Sequence, residues 1–315
     1  MFSYAMKRLL GAIPTLFIII TATFFMMRIA PGGPFDAQRR LPPEIEHNIK
    51  AAYNLDKPVY QQYVIYLGKL AHGDMGPSYK NKDFTVNELI ADGLPVSAEI
   101  GLLSMVLALG LGGVLGILAA LRQNSAVDYS VMSVAMMGIT IPTFVVGPIL
   151  TLIFGVYGLT VFGYDVSLPV GGWNGGALRN LILPVLVLAL PQVAYVARIM
   201  RGSMVEVLHS NYVRTARAKG LSNFAIVVRH ALRAAVLPLV SYLGPAIAGV
   251  LTGSLVVEQL FGIPGIGRYF VQGALNRDYT LVMGVLVYYA TAIILLNLLA
   301  DLLYAVLDPR VRYAK

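Results

Sequence analysis

Six stretches of this sequence are too apolar and too long to be comfortable in water. They run from Leu9 to about Met27, Val96 to Leu121, Tyr129 to Val156, Leu181 to Met200, Ala235 to Leu255, and about Leu281 to Leu307. About 20 helical residues cross a hydrocarbon core of roughly 30 Å, and each stretch reaches that length. Lipid offers nothing to hydrogen-bond a bare backbone, so a spanning segment must close its own bonds, as an α-helix does. An all-α, polytopic membrane protein with six transmembrane helices is therefore expected. Composition agrees: 57% of the 315 residues are hydrophobic and only 13% charged, where soluble domains carry about 25%. The chain has no cysteine, which rules out disulfides, thiolate metal sites and a cysteine nucleophile.

The first stretch follows Lys7 and Arg8, as in a signal peptide. It is nevertheless long enough to span, and five more spans follow, so it is read as a retained anchor. Pro31-Gly32-Gly33-Pro34 stops it, and a charge-balanced region continues to about residue 95. Within that region Pro42 to Tyr53 and Pro58 to Leu70 have the pattern of short amphipathic helices. The insert suits either a cap over the outer mouth of a transporter or a plain spacer. Gly112 and Gly116 in the second span lie at small-x-x-x-small spacing, which lets a neighbouring helix come close.

Orientation follows from the cations. With the amino terminus inside, the inner segments hold Lys7, Arg8, Arg122, Arg198, Arg201, Arg214, Arg217, Lys219, Arg229, Arg233, Arg310, Arg312 and Lys315, whereas the two short outer loops hold Arg179, Arg268 and Arg277. The net charge of +8 thus sits mostly beside spans, which favours topology and anionic lipid over nucleic acid. The resulting domain plan is 1–30, a cytoplasmic start and first span; 31–95, a periplasmic insert; 96–307, a five-span core with a cytoplasmic coupling segment at 201–234; and 308–315, a cytoplasmic tail.

Between the fourth and fifth spans lies the segment with the strongest pattern, Asn211 to Arg233 (NYVRTARAKGLSNFAIVVRHALR). Its cations Arg214, Arg217, Lys219, Arg229 and Arg233 are interrupted by no acid. Gly220 followed by Ser222 reads as a helix stop and an N-cap, giving two short helices joined at Leu221. At α-helical spacing Phe224, Val228, Ala231 and Leu232 line one face of the second helix, and Arg229 and Arg233 another. Such an elbow suits docking onto a soluble partner. A basic loop that only sets topology or touches lipid head groups is the alternative.

Other residues invite readings as part of a transport path. Pro142 and Pro148 in the third span, and Pro184 and Pro191 in the fourth, each remove a backbone hydrogen bond, which suits helices lining a wet path or merely kinked ones. Asn297, Asp301 and Tyr304 share a face of the last span. Asp301 suits a bond to a neighbouring helix better than a proton relay, because no second acid accompanies it. Glu258 follows the fifth span, either as an outer-mouth contact for a binding protein or substrate amine, or as an ordinary polar residue at the membrane boundary. Pro264, Gly265 and Gly267 then force a turn before a short helix through Gln272. His47, His72, His209 and His230 have no metal-ligand spacing, and no catalytic motif or phosphate-cradling loop is present.

The run Arg214-Thr215-Ala216, with Gly220 six residues after Arg214, resembles the EAA loop of ATP-binding-cassette importer permeases. The general pattern begins with Glu and ends Ile-x-Leu-Pro. Here Arg214 holds the Glu position, His230 the Ile position, and Leu232 is followed by Arg233, with a proline only at Pro238. These departures are those of the peptide and nickel branch. Glu258 through Gly267 (EQLFGIPGIG) resembles the Glu-x-x-Phe-x-x-Pro-Gly-x-Gly signature of the same permeases. Leu70 to Asp74, Gly171 to Gly176, Arg201 to Ser210 and Gly273 to Tyr279 narrow the likeness to B-type permeases of bacterial oligopeptide importers, over nearly the whole chain.

That resemblance implies a type I importer permease fold and a place in the bacterial inner membrane with both termini cytoplasmic. It implies a pore shared with a homologous C-type permease, two ATP-binding subunits beneath, and a periplasmic peptide-binding protein. ATP and Mg would be used by the partner subunits, with no cofactor on this chain and no enzymatic activity of its own. Arg214, Thr215, Ala216 and Gly220 are the implied coupling core, with Arg229 and Arg233 beside it. Pro142, Pro148, Pro191, Glu258, Asn297 and Asp301 are the candidates for the pore or its mouth. Dipeptides, glutathione or nickel remain alternative cargoes, and an ion-driven carrier using Asp301 the alternative class.

Overall fold

A computed structural model describes residues 2–29, 54–81, 83–158, 160–161, 164–165 and 167–307. The expected helix at Pro42 to Tyr53, the Pro31–Pro34 stop and the tail at 308–315 lie outside the described residues. In chain order the helices are α1 (Phe2–Ile29), α2 (Val59–Ala71), α3 (Val86–Leu121), α4 (Ala126–Thr140), α5 (Thr143–Thr151), α6 (Leu178–Leu208), α7 (Asn211–Ala218), α8 (Asn223–Ala225), α9 (Leu232–Ala235), α10 (Leu237–Phe261), α11 (Ile266–Leu275) and α12 (Tyr279–Leu307). A two-residue antiparallel pair, Thr160–Val161 with Tyr164–Asp165, is the only sheet among the described residues, and the class is all-α as expected.

Among the described residues, five helices are long and apolar enough to cross a membrane: Arg8–Ile29, Val86–Leu121, Leu178–Leu208, Leu237–Phe261 and Tyr279–Tyr304. The expected third span, Tyr129 to Val156, is not one rod. It is α4 followed by α5 and a π-helical turn at Leu152–Val156, bent by 106°. The break falls at Ile141-Pro142, where Ile141 is extended (φ −89°, ψ 120°). Proline disfavours the helical conformation at the residue before it, and here Ile141 takes the extended alternative, so α4 stops there and α5 restarts after Pro142. Pro148, Pro184 and Pro191, by contrast, lie inside helices that continue through them.

The chain divides into two compact units that do not follow its order. The first comprises residues 1–9, 97–263 and 293–315 and is organised around α6, in which 61% of the apolar span is buried, against 33% in α10. Backbones meet here almost directly. A Cβ at Gly116 of α3 would lie 2.5 Å from the Ala197 carbonyl oxygen, and one at Gly112 2.7 Å from that of Val193. On the α4 side, a Cβ at Gly138 would come 2.9 Å from the Leu190 carbonyl oxygen. The small residues therefore act in packing, since hydrocarbon supplies no hydrophobic drive between helices and close van der Waals fit must replace it.

The second unit comprises residues 10–96 and 264–292. Its centre is aromatic: Phe24 stacks on Tyr66 with ring centroids 5.7 Å apart, and Tyr63 bonds Thr21 Oγ1 at 2.6 Å. The helix expected at Pro58 to Leu70 is α2. Asp278, fully buried, caps α12 by accepting from Leu281 N at 3.2 Å. It also accepts from Ser78 Oγ at 2.5 Å and Lys80 N at 3.2 Å, which pins the 77–81 loop.

Candidate functional site

The basic elbow forms as its sequence requires. α7 ends at Ala218, Gly220 takes the left-handed conformation (φ +76°), and its N–H returns to the Arg217 carbonyl at 2.9 Å. Leu221 N bonds the Ala216 carbonyl at 3.3 Å, closing the helix in the manner glycine favours. Ser222 then caps α8, its Oγ accepting from Ala225 N at 3.3 Å. Val213, Ala216 and Ile226 bury against one another and against Val207 of α6, so the two arms of the elbow share a small core with the end of that span.

This packing decides which predicted coupling residues are available. Arg214, Thr215 and Gly220 are exposed, as are Arg229 and Arg233, whereas Ala216 faces inward. The second arm departs from the expected α-helical face. From Ile226 to Ala231 it is π-helical, with bonds from i to i+5, so the buried pair is Ile226 and Ala231. Phe224 and Val228 are thrown outward instead, at 78% and 44% exposure. An apolar tip thus stands among the cations.

Beside the elbow is a cleft of about 700 Å³, lined by Arg122, Gln123, His209, Arg217, Asn223 and Phe224 among others, with no acid in its wall. One margin, the turn at 122–125, is held by a contact the sequence reading missed. Arg201 of α6 donates Nε to Asp128 Oδ1 at 2.5 Å and Nη2 to Oδ2 at 2.6 Å. Asp128 is 1% exposed, and its Oδ2 also accepts from Asn124 N at 2.9 Å. The available signal was Ser125-x-x-Asp128, a capping pattern opening an apolar run, with an arginine near the end of another run. Only the fold brings the two together.

The remaining candidates separate. Glu258 is fully buried and accepts a hydrogen bond from Ser97 Oγ at 2.7 Å, so within this chain it is an interior residue and not an open mouth. Asp301 pairs with Arg8 at 3.3 Å, and Asn297 packs its Oδ1 on Gly244 of α10. Pro142 marks the 106° bend and is exposed, as is Pro148, while Pro191 is half-buried one residue before Gln192. Gln192 accepts from the Tyr242 hydroxyl at 2.8 Å, a polar contact between α6 and α10 that the sequence reading did not single out.

Comparison with known proteins gives this geometry its setting. The family described as "Binding-protein-dependent transport system inner membrane component" matches residues 112–313, and its amino-terminal companion, "Binding-prot-dependent transport system membrane comp, N-term", matches 1–100. The chain is 53% identical to the oligopeptide transport system permease protein OppB of Haemophilus influenzae, over 99% of this chain and 100% of that one. The figures are the same for OppB of Escherichia coli K12. The dipeptide transport system permease protein DppB of Bacillus subtilis is 42% identical, over 99% and 98%. The chain belongs to the family of binding-protein-dependent transport system inner membrane components, as a membrane permease and not an enzyme.

Proposed function

We propose that this chain forms half of the pore of an ATP-driven importer that carries oligopeptides across the bacterial inner membrane. A homologous C-type permease supplies the other half, a periplasmic peptide-binding protein delivers the cargo, and two ATP-binding subunits, using ATP and Mg, dock on the elbow. Both termini then lie in the cytoplasm. The observation that carries the reading is the elbow itself: an exposed cationic surface with an apolar tip at Phe224, continuous through Val207 with the most enclosed helix of its unit. The 53% identity to oligopeptide permeases over the full chain favours that cargo.

Coupling on this reading is rigid-body movement of a docked element. Arg214, Thr215 and Gly220 present the contact surface, Ala216 locks the elbow's core, and Arg229 and Arg233 extend the surface along the second arm. Because Val213, Ala216 and Ile226 bury against Val207, a push on the elbow moves α6 instead of bending a loop. Arg201 passes the displacement to α4 through Asp128. In reconstituted transporter, cysteines placed at Arg214 or Phe224 should crosslink to an ATP-binding subunit, and uptake of a tripeptide to hexapeptide series should stop when ATP is withheld. Uptake by this chain alone under an ion gradient would instead support a carrier. Dipeptides outcompeting longer peptides would move the cargo toward that of the 42% identical relative.

A further inference from the structure

Helix α6 is covered by its own unit on every side except one. Pro191, Tyr195, Arg198, Gly202 and Glu206, spaced four, three, four and four residues apart, form a stripe that stays half-buried or exposed, while Val196, Ala197 and Met200 beside it are buried. Arg198 stands in the middle of this stripe. The helix has 31 residues, about 46 Å at 1.5 Å each. Its apolar run, Leu181 to Met200, covers about 30 Å by itself, so Arg198 stands in the last turn of the span, about 3–4 Å inside the hydrocarbon boundary. A guanidinium facing lipid there has to snorkel to the head groups, whereas ionisable residues inside spans otherwise face a bundle interior or a water-filled path.

Arg198 is also held in place. Its guanidinium lies 5.1 Å from the ring centroid of Tyr195, and the Tyr195 ring packs 5.8 Å from that of Tyr242, whose hydroxyl bonds Gln192. No carboxylate pairs with Arg198 among the described residues, whereas Arg201, three residues further on, is neutralised by Asp128. An unneutralised, stacked arginine presents forked donors that match a carboxylate in two-point contact.

We infer that the uncovered stripe of α6 lines the translocation path, and that Arg198 is a way-station for the free α-carboxylate of the passing peptide. This rests on the oligopeptide reading above. An α-carboxylate is the one anion that every unmodified peptide carries whatever its side chains, so the contact grips cargo without selecting sequence. A single such contact, exposed to water, is weak enough to release.

Two measurements on the complete transporter in proteoliposomes decide the matter. The chain has no native cysteine, and a Cβ at Gly202 would meet nothing within 4 Å, so Gly202→Cys gives a single thiol on this stripe. Both an anionic sulfonate and a cationic trimethylammonium methanethiosulfonate should modify it. The anionic reagent should be favoured about tenfold, a preference that Arg198→Gln abolishes. In the second measurement, uptake of a peptide with a free carboxylate is compared with that of its C-terminal amide. The ratio of mutant to wild-type rates, which cancels what the binding protein selects, should fall about tenfold for the acid in Arg198→Gln, stay near one for the amide, and recover in part in Arg198→Lys.

A thiol that stays unreactive in every nucleotide state overturns the inference, because the stripe is then sealed by lipid or by the partner permease. Equal loss for acid and amide also overturns it, leaving Arg198 a structural residue. If the wild type imports neither peptide, the oligopeptide reading falls with the carboxylate assignment, while the thiol measurement still decides whether the stripe is the path.

Discussion

Losing Arg201 should hurt this protein more than neutralising the aspartate it holds. Arg201→Leu strands the Asp128 carboxylate, 1% exposed, with only the Asn124 N–H at 2.9 Å to satisfy it. Breaking a buried pair from one side costs about 3–5 kcal/mol, because the orphaned charge has no water. Asp128→Asn keeps the shape and leaves the arginine, whose side chain is 28% exposed and can reach solvent, so about 1.5–3 kcal/mol is expected. In the double variant no buried charge remains to be stranded, and it should cost little more than Asp128→Asn alone. The coupling energy is then about 3 kcal/mol or more, roughly two decades in the unfolding constant. Reversible unfolding in mixed detergent–SDS micelles, followed by far-ultraviolet circular dichroism, gives all four stabilities. The reasoning fails if Arg201→Leu matches wild type, if Asp128→Asn is the worse single change, or if the two effects simply add.

The other expectations are more local. Gly220→Val puts a β-branched residue at φ +76°, costing about 1–2 kcal/mol or more, and should weaken capture of the ATP-binding subunits while the spans stay folded; Gly220→Asn, which tolerates that region, should retain it. Gly116→Val, whose Cβ would sit 2.5 Å from the Ala197 carbonyl oxygen, should lower thermal stability by at least about 1–3 kcal/mol, and Gly113→Ala, in open space, should not. Asp278→Ala should destabilise the second unit by about 2–3 kcal/mol, since it removes a helix cap and the anchor of the 77–81 loop together, and protease sensitivity near Ser78 should rise. Burial pushes the Tyr66 hydroxyl up to about 12, and the group finds no hydrogen-bond partner among the described residues. The neutral phenol therefore supports the fold fully below pH about 10, the ordinary tyrosine value, and that support is lost as pH rises toward about 12. Tyr66→Phe should flatten the alkaline limb of a stability profile over that window.

What could be read from the sequence and what could not divide along a physical line. Spans are legible because the bilayer imposes a length and a polarity that no tertiary context overrides, and the glycine at 220 is legible because a left-handed helix end is a local demand of the backbone. The π-helical arm is not legible. A period of 3.6 puts Phe224, Val228, Ala231 and Leu232 on one face, but the π-helical turn from Ile226 to Ala231 buries Ile226 with Ala231 and leaves Val228 exposed, and Phe224, in the α-helical turn before it, is exposed as well. The bend at Pro142 was half legible: proline announces a lost hydrogen bond, but Pro148, Pro184 and Pro191 announce the same and sit in continuous helix. What separates them is the extended Ile141, a choice made by packing.

Glu258 and Asp301 show the same limit from the other side. Both are acids in or beside apolar runs, and such residues invite a functional reading, because desolvation makes them costly to keep. Desolvation is offset equally well by structure. Ser97 bonds Glu258, and Arg8 pairs with Asp301 from 293 residues away in sequence, so neither cost needs a substrate to offset it. The same test leaves Arg198 standing. It is a cation at span depth with an aromatic seat and no counter-charge among the described residues, so its compensation must come from water, from the partner permease or from cargo. Of the polar groups that the spans carry, the informative one is therefore not the acid that first draws the eye but the arginine whose partner the fold does not supply.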